Sequence, residues 1–214
     1  MLMTPSPKFM AQYAALSQGV GVADLSAHTR LALLGRDRAT FLHSFCTNDI
    51  KRLALGHGCE AFITNPQGKT LGHVLVFCQA DRLLLNTSPG QAELLAAHFD
   101  KYLISEDVQF IDLTAKSGEL LVAGPLAPVL LSRLMGVPEP SELLDATAAS
   151  IAGCEIVARR VEYAGPSSFF LQTAQADLPT VKSAFLDAGG IYCDAGAVEA
   201  RRLEDPGLRL EPPR

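Results

Sequence analysis

Three neighbouring polar residues, Thr47, Asn48 and Asp49, form the most distinctive group of side chains in this sequence. They follow an apolar segment, residues 41–46, that has the composition of a helix end. Thr, Asn and Asp hydrogen-bond readily to nearby backbone, and Asn tolerates the left-handed conformation that ends helices. The group is therefore either a helix cap or a polar wall from which Asp49 directs a carboxylate into the space beyond.

A histidine in the next part of the chain is the second candidate for chemistry. His73 follows Gly72 in the segment after a turn-forming stretch, residues 65–68. Facing a cleft, His73 would donate a hydrogen bond or act as a general base. On an antiparallel strand its side chain could equally face water, because one face of such a sheet is commonly solvated. His73 and Asp49 are the candidate catalytic residues.

A pair of arginines near the C-terminus is the third polar feature. Arg202 lies in a predicted helix and could form a forked pair with a carboxylate, such as the glutamate-bearing tail of a ligand. The alternative is a surface ion pair with Glu199 or Glu204, which would contribute little stability. No nucleophile elbow, phosphate-binding loop or dinucleotide glycine pattern is found in the sequence.

The composition narrows the class of protein. The chain has 214 residues, of which 48% are hydrophobic and 19% charged, so it can bury a sizeable core. A net charge of -5 without a dense Lys/Arg run argues against nucleic acid as a partner. No apolar run approaches the ~18 residues of a membrane span, and the first residues lack the order of a signal peptide, so a cytoplasmic location is predicted.

The cysteines predict reduced thiols. The five cysteines include no C-x-x-C pair, and their number is odd. This pattern is typical of thiols buried as small hydrophobic groups in a reducing compartment. No His/Cys spacing suits zinc, so no metal site is predicted.

The periodicity of the first half predicts the elements that position these polar residues. Apolar residues at helical spacing indicate one helix over residues 7–19 and another over 37–45. A β-hairpin is predicted from strands 59–64 and 70–77, which the turn 65–68 joins. Strand 83–86, helix 91–103 and a strand near 108–111 follow.

The second half repeats this pattern. A strand that ends at Gly124 precedes helix 125–134, as a strand that ends at Gly35 precedes the helix of the first half. A second hairpin starts at Cys154, which we match with Cys59, and helices 178–188 and 197–203 follow. Residues 136–150 form a predicted linker and residues 206–214 an extended tail. We predict an α+β fold of two similar antiparallel-sheet units, 1–114 and 115–214, with helices on one side, packed face to face in one compact core.

The order of these motifs resembles the glycine-cleavage T-protein (aminomethyltransferase) superfamily. The matching segments are Gly21-Val22-Ala23-Asp24, Phe41-Leu42, Thr47-Asn48-Asp49, the turn with Lys69, Leu83-Leu84-Leu85-Asn86, Lys101-Tyr102-Leu103-Ile104, Tyr163-Ala164-Gly165 and Arg202-Leu203-Glu204. Within the superfamily, the chain is more similar to the folate-binding YgfZ-type proteins, which are linked to iron–sulfur cluster maintenance and tRNA modification. The resemblance implies a pseudo-symmetric core around a tetrahydrofolate channel. It also implies that Thr47, Asn48, Asp49, Asn86, Tyr163 and Arg202 contact the folate.

Two positions depart from the transferase pattern. In the transferases, the strand after the glycine-rich turn carries a pair of Asp residues that includes the catalytic carboxylate, and here these positions are Gly72 and His73. Histidine provides no fixed negative charge, so aminomethyl transfer by that mechanism is not expected. The glutamate that anchors the pterin after Tyr163-x-Gly165 is replaced by Pro166, which has no side-chain acceptor. Neither the C-terminal barrel of the superfamily nor the Lys-Gly-Cys segment of the YgfZ-type branch is expected in this chain.

Three functions are therefore compared. The first is a tetrahydrofolate-binding protein of YgfZ-like type that is not a transferase and assists an iron–sulfur protein. The second is a folate-dependent aminomethyl- or methyltransferase in which His73 or Asp49 replaces the usual carboxylate. The third is a non-catalytic interaction module whose apolar surface, without the barrel, needs a protein partner. A monomer or a weak homo-oligomer is expected in each case.

Overall fold

A computed structural model describes residues 6–204 of the chain. The helices are α1 Pro7–Gln18, α2 Arg38–His43, α3 Ala92–Asp100, α4 Ala127–Met135, α5 Leu178–Asp187 and α6 Ala195–Glu204. The strands are β1 Gly21–Asp24, β2 Thr29–Leu34, β3 Gly58–Thr64, β4 Thr70–Cys78, β5 Leu83–Thr87, β6 Gln109–Asp112, β7 Ser117–Ala123, β8 Ala146–Ile151, β9 Cys154–Val161, β10 Ser168–Ala174 and β11 Ile191–Tyr192. They form two sheets, as an α+β fold of two units requires.

The unit that we call unit I comprises residues 26–117 with 144–146. Its sheet has the strand order β3-β4-β5-β2-β6, with antiparallel neighbours throughout. Alternate residues of the strands, such as Ile63 and Val74, point to one face and pack against Phe41 of α2 and against Leu95 and Phe99 of α3. This period-2 alternation fixes which side chains lie on the opposite face.

Unit II comprises the described residues 6–25, 118–143 and 147–204. Its sheet has the order β11-β1-β7-β10-β9-β8, and its core brings together Leu131 of α4, Phe185 of α5 and strand residues such as Val122 and Phe169. Helices α4 and α5 thus pack on one face of the sheet, as predicted. One feature differs from the prediction, because β1 and β11 pair in parallel.

The two units share one order of elements, strand, helix, three strands, helix, strand. In unit I these are β2 to β6 with α2 and α3, and in unit II they are β7 to β11 with α4 and α5. Gly35 and Gly124 occupy the same place in this order, between the first strand and the first helix. Their φ angles are 100° and 120°, values that favour glycine. The predicted match of Cys59 with Cys154 is wrong by one strand, because Cys59 lies in β3 and Cys154 in β9, the counterpart of β4.

The reason for that error is β8, which begins inside the predicted linker 136–150 and ends at Ile151. Its sequence, Ala-Thr-Ala-Ala-Ser-Ile, has little β propensity, and it forms an edge strand with two exposed residues. Pairing with β9 stabilises β8, and the sequence of the strand alone does not show this partner. The predicted helices 37–45 and 91–103 are also shorter than expected, ending at His43 and Asp100.

Residues 6–25 belong to unit II, whereas the sequence analysis predicted them to be part of a unit that extends to residue 114. Strand β1 pairs antiparallel with β7, from Gly21 opposite Ala123 to Asp24 opposite Leu120. Helix α1 contacts β1 and α6, so it too lies in unit II. A strand pair between residues about one hundred positions apart is not visible in local sequence patterns. The predicted tail, residues 206–214, lies outside the described residues.

The cysteines within residues 6–204 are free thiols. Burial raises the pKa of Cys46 to about 12 and those of Cys59 and Cys193 to about 11, so these thiols are poor nucleophiles. None of the helices in this part of the chain is both long and apolar enough to cross a lipid bilayer.

Candidate functional site

The Thr47–Asp49 group lies beside β3 and does not cap α2. Helix α2 ends at His43, and the chain then runs along β3, where the Thr64 amide donates to the Phe45 carbonyl at 2.9 Å. Thr47 Oγ1 accepts from the Phe62 amide at 2.9 Å, and Asn48 Nδ2 donates to the Glu60 carbonyl at 2.9 Å. Both predicted ligand contacts, Thr47 and Asn48, therefore hold the backbone of β3 in place.

Replacing Thr47 with valine tests this positioning role. Thr47→Val keeps the shape of the side chain and removes the acceptor for the Phe62 amide, so we expect a loss of about 1 kcal/mol in the free energy of unfolding. Hydrogen exchange of the Phe62 amide should become faster. Thr70→Val, at an exposed position at the start of β4, is the control and should leave this exchange rate unchanged. Unchanged protection of Phe62 in Thr47→Val would exclude the positioning role.

Asp49 lies beside two residues that are close to it in sequence, His43 at the end of α2 and Arg52. Its carboxylate lies 3.4 Å from His43 Nδ1 and 3.4 Å from Arg52 Nε. Among the contacts of the described residues, Asp49 makes none with His73. The two candidate catalytic residues thus lie in the same unit but contact different side chains.

His73 forms a compact cluster with Glu60 and Phe62 on the face of the unit I sheet opposite the helices. Its Nε2 lies 2.5 Å from Glu60 Oε1, and its ring centroid lies 5.3 Å from that of Phe62. The His73 and Glu60 side chains are 47% and 63% exposed, so the sequence alternative in which His73 faces water agrees with the structure. A carboxylate therefore stands beside His73, although Gly72 and His73 themselves provide none.

Asn86 belongs to a buried polar network farther along the same face. It is 4% exposed, pairs with Arg30 across β2 and β5, and hydrogen-bonds to His28. The Arg30 guanidinium is fully buried and donates to Ser117 Oγ and to the carbonyls of Ser26, Thr114 and Ser117 at 2.7–2.9 Å. Asn86 thus lies beside a buried cation on the sheet.

Burial makes His28 a source of acid sensitivity. Burial, and secondly the charge of Arg30, lower the pKa of His28 from 6.5 to about 4, while the Asn86 hydrogen bond acts in the opposite sense. Between these pH values the unfolded chain binds a proton that the folded chain does not. The free energy of unfolding should therefore decrease as the pH falls through this window, by at most about 3 kcal/mol from this residue.

The variant His28→Gln should remove this part of the pH dependence. We expect its free energy of unfolding to fall less than that of the wild type between pH 6.5 and pH 4. Urea unfolding at several pH values measures the difference, and NMR titration of the His28 ring gives its midpoint directly. A midpoint near 6.5 would contradict the predicted burial effect.

Tyr163 and Arg202 lie in unit II. The Tyr163 ring packs edge-on against Phe170, with 5.2 Å between centroids, and burial raises the pKa of its hydroxyl while Arg202 lowers it. Arg202 forms a forked pair with Glu199 at 2.8 and 2.7 Å, the partner named in the surface alternative. This hydrogen bond from Arg202 lowers the pKa of Glu199. An incoming carboxylate would have to exchange with Glu199.

Two charged residues that the sequence analysis missed lie in the strands of unit II. Glu119 of β7 and Arg159 of β9 are 1% and 2% exposed. Burial lowers the pKa of Arg159 to about 10, and the charge of Glu119 favours its ionised form. The sequence feature that indicates such residues is a charged side chain in the middle of an otherwise apolar strand. Glu60 was missed for another reason, since its importance depends on the strand that pairs with β3.

Within residues 6–204, no three His, Cys, Asp or Glu side chains lie close enough to hold a metal ion. Unit I offers a carboxylate, an imidazole and an aromatic ring, and unit II offers a phenol and a guanidinium.

The fold and these polar sheet faces define a protein of the aminomethyltransferase fold. The glycine cleavage system aminomethyltransferase T from Bartonella henselae superposes with a TM-score of 0.79 at 19% identity, over 91% of this chain and 53% of that one. A chain of heterotetrameric sarcosine oxidase from Corynebacterium sp. U-96 gives 0.59 at 19% identity, over 90% of this chain and 92% of that one. At these identities, the likeness concerns the fold alone.

Sequence comparison adds the family. The GCVT N-terminal domain matches residues 6–210, and the chain belongs to this family. Aminomethyltransferases from Exiguobacterium sibiricum and Anoxybacillus flavithermus are each 28% identical over 90% of this chain, with 54% and 55% of their own lengths covered. A putative chloroplastic transferase from Arabidopsis thaliana is 31% identical over 56% of this chain and 28% of its own length. The chain spans about half the length of the aminomethyltransferases it matches.

Proposed function

We propose that this protein binds a tetrahydrofolate-type ligand and does not transfer an aminomethyl group, as in the YgfZ-type branch of the superfamily. The observation that carries the proposal is the pair of positions 72 and 73 in β4. A glycine and an exposed His73 stand there, where the resemblance places the catalytic carboxylate of a transferase. Tetrahydrofolate would supply the nitrogen atoms that carry a one-carbon unit.

The residues present fit such a ligand in two ways, by direct contact with it and by support of the strands around it. Arg202 can exchange Glu199 for a ligand carboxylate while keeping the forked geometry, since both are carboxylate partners of the same guanidinium. Thr47 and Asn48 already use their side chains to hold β3, so they fit a positioning role better than direct contact. Asn86 is buried beside His28 and Arg30, which suits support of the sheet face.

Calorimetric titration with 5-formyltetrahydrofolate tests the proposal. We expect saturable heat with the wild type and an affinity about tenfold lower for Arg202→Gln, which corresponds to the loss of one charge-assisted contact. Arg133→Gln, at an exposed position of α4, is the matched control and should bind like the wild type. Absence of both heat and thermal stabilisation at millimolar ligand would refute folate binding.

One observation favours a second candidate, a folate-dependent transferase that uses His73. The Glu60 carboxylate beside His73 would orient the imidazole, as carboxylates do in other acid–base pairs. Folate-dependent turnover that His73→Ala abolishes and Asp49→Asn leaves intact would establish this candidate. Under the first proposal, the wild type shows no turnover above the uncatalysed reaction.

The cellular role belongs to the same proposal. We expect a cytoplasmic protein that assists an iron–sulfur protein, so loss of its gene should lower the activity of iron–sulfur enzymes. Re-expression of the wild type should restore that activity, and Arg202→Gln should restore less of it. Equal complementation by the two proteins would favour a non-catalytic interaction module that needs no folate.

A further inference from the structure

We infer that Glu60 of β3 supplies a ligand-binding carboxylate on a sheet face where positions 72 and 73 of β4 have none, and that Phe62 and His73 complete this contact surface. The expected occupant is a planar heterocycle that presents N–H donors along one edge, such as a pterin ring. This inference rests on the proposed folate binding and names the residues of unit I that would contact the ring.

The register of the β3–β4 pair brings the three side chains together. Phe62 lies directly opposite His73, and Glu60 lies opposite Leu75, two positions farther along. Because side chains two residues apart share a face, Glu60, Phe62 and His73 all point away from the helices. The diagonal pair Glu60–His73 closes to 2.5 Å between Oε1 and Nε2.

The side chains of this cluster can accept hydrogen bonds from the N–H groups along one edge of a planar ring and can stack against that ring. A carboxylate has two oxygens that accept several hydrogen bonds, so Glu60 can bind His73 and still accept from a ligand. Its side chain is 63% exposed, which leaves the carboxylate accessible. Phe62, 38% exposed, presents a flat apolar surface against which a planar ring can stack.

The backbone of all three residues is held by side chains from neighbouring segments. Asn48 binds the carbonyl of Glu60, and Thr47 binds the amide of Phe62. Thr87 Oγ1 donates to the carbonyl of His73 at 2.5 Å. Such support lowers the entropic cost of ordering a binding group. The Glu60–His73 pair differs in this respect from a surface pair between neighbours in sequence, such as Arg82 with Asp81.

Glu60→Gln tests the inference, because glutamine keeps the size of the side chain and removes its charge. We expect the affinities for 5-formyltetrahydrofolate and for pterin to fall about tenfold or more, with an unchanged melting temperature. Phe62→Leu should weaken the binding of both probes. Glu93→Gln, at an exposed position in the first turn of α3, is the matched control and should bind like the wild type. The double variant Glu60→Gln/His73→Asp returns a carboxylate to β4 and should regain affinity.

The outcomes separate the inference from the proposed function. If the wild type binds 5-formyltetrahydrofolate and Glu60→Gln binds it equally well, the inference is overturned and folate binding stands. If the wild type binds neither probe, folate binding itself is overturned, and the inference with it. Shifts of the Glu60, Phe62 and His73 NMR signals on pterin addition, absent in Glu60→Gln, would support the inference directly.

Discussion

Glu119→Gln should lower the free energy of unfolding by about 3–5 kcal/mol, because it removes a negative charge that favours the ionised form of the buried Arg159. Both side chains are almost completely buried, and burial already lowers the pKa of Arg159 to about 10. The substitution changes neither the volume nor the shape of the side chain at position 119. The expected loss is therefore electrostatic, and urea unfolding of the two proteins measures it.

The double variant Glu119→Gln/Arg159→Met is the control for this prediction. Removing both charges leaves no uncompensated buried ion, so the double variant should be more stable than Glu119→Gln alone. A single variant within 1 kcal/mol of the wild type, on the scale expected for an exposed pair, would show that the two charges do not depend on each other. Glu119 also raises the pKa of Tyr163, so the buried pair influences a predicted folate contact.

Gly35→Ala should have the next largest effect, a loss of about 3 kcal/mol in the free energy of unfolding. A Cβ at this position would lie 2.0 Å from the carbonyl oxygen of Asp107, and the φ angle of 100° is itself strained for alanine. The same segments are joined by the Asp107 amide, which donates to Asp37 Oδ2 at 2.9 Å. The backbone therefore cannot move away without breaking hydrogen bonds that position α2.

Gly68→Ala separates the backbone strain of a positive φ angle from the steric contact with Asp107. Gly68 has a φ of 76°, and a Cβ there would meet no atom within 4 Å. Its replacement should cost about 1–2 kcal/mol, the strain of a left-handed alanine alone. Thermal and urea unfolding of both variants give the difference. Equal losses in the two variants would mean that the contact with Asp107 is not a steric barrier.

Local sequence patterns were sufficient to predict most of the helices and strands. The strand that ends at Gly35, its counterpart that ends at Gly124, and both hairpins were predicted near their observed positions, because apolar alternation and glycine turns act over a few residues. The match of Cys59 with Cys154 failed, since β8 has no strand signal of its own and depends on β9 for stability. Residues 6–25 were grouped with the wrong part of the chain because the pairing of β1 with β7 is not local.

The candidate site, like the fold, was predicted from the sequence only in part. The sequence singled out Thr47, Asn48, His73 and Arg202 from their types and from the family resemblance, and the likeness to aminomethyltransferases agrees with that family. The roles of Thr47, Asn48 and Arg202 as ligand contacts and of His73 in catalysis stay predictions. Thr47 and Asn48 bind the backbone of the neighbouring strand β3, whereas Arg202 binds Glu199 within its own helix, α6.

The sequence by itself determined that this chain forms an α+β fold of two similar units and that β4 lacks a carboxylate at positions 72 and 73. The tertiary structure decided that Glu60 stands beside His73 and that Glu119 and Arg159 are buried in the sheet of unit II. The physical reason is that a residue's type and its neighbours in sequence fix local conformation, whereas the partner of a side chain depends on strand register and order, which arise only when distant segments pair.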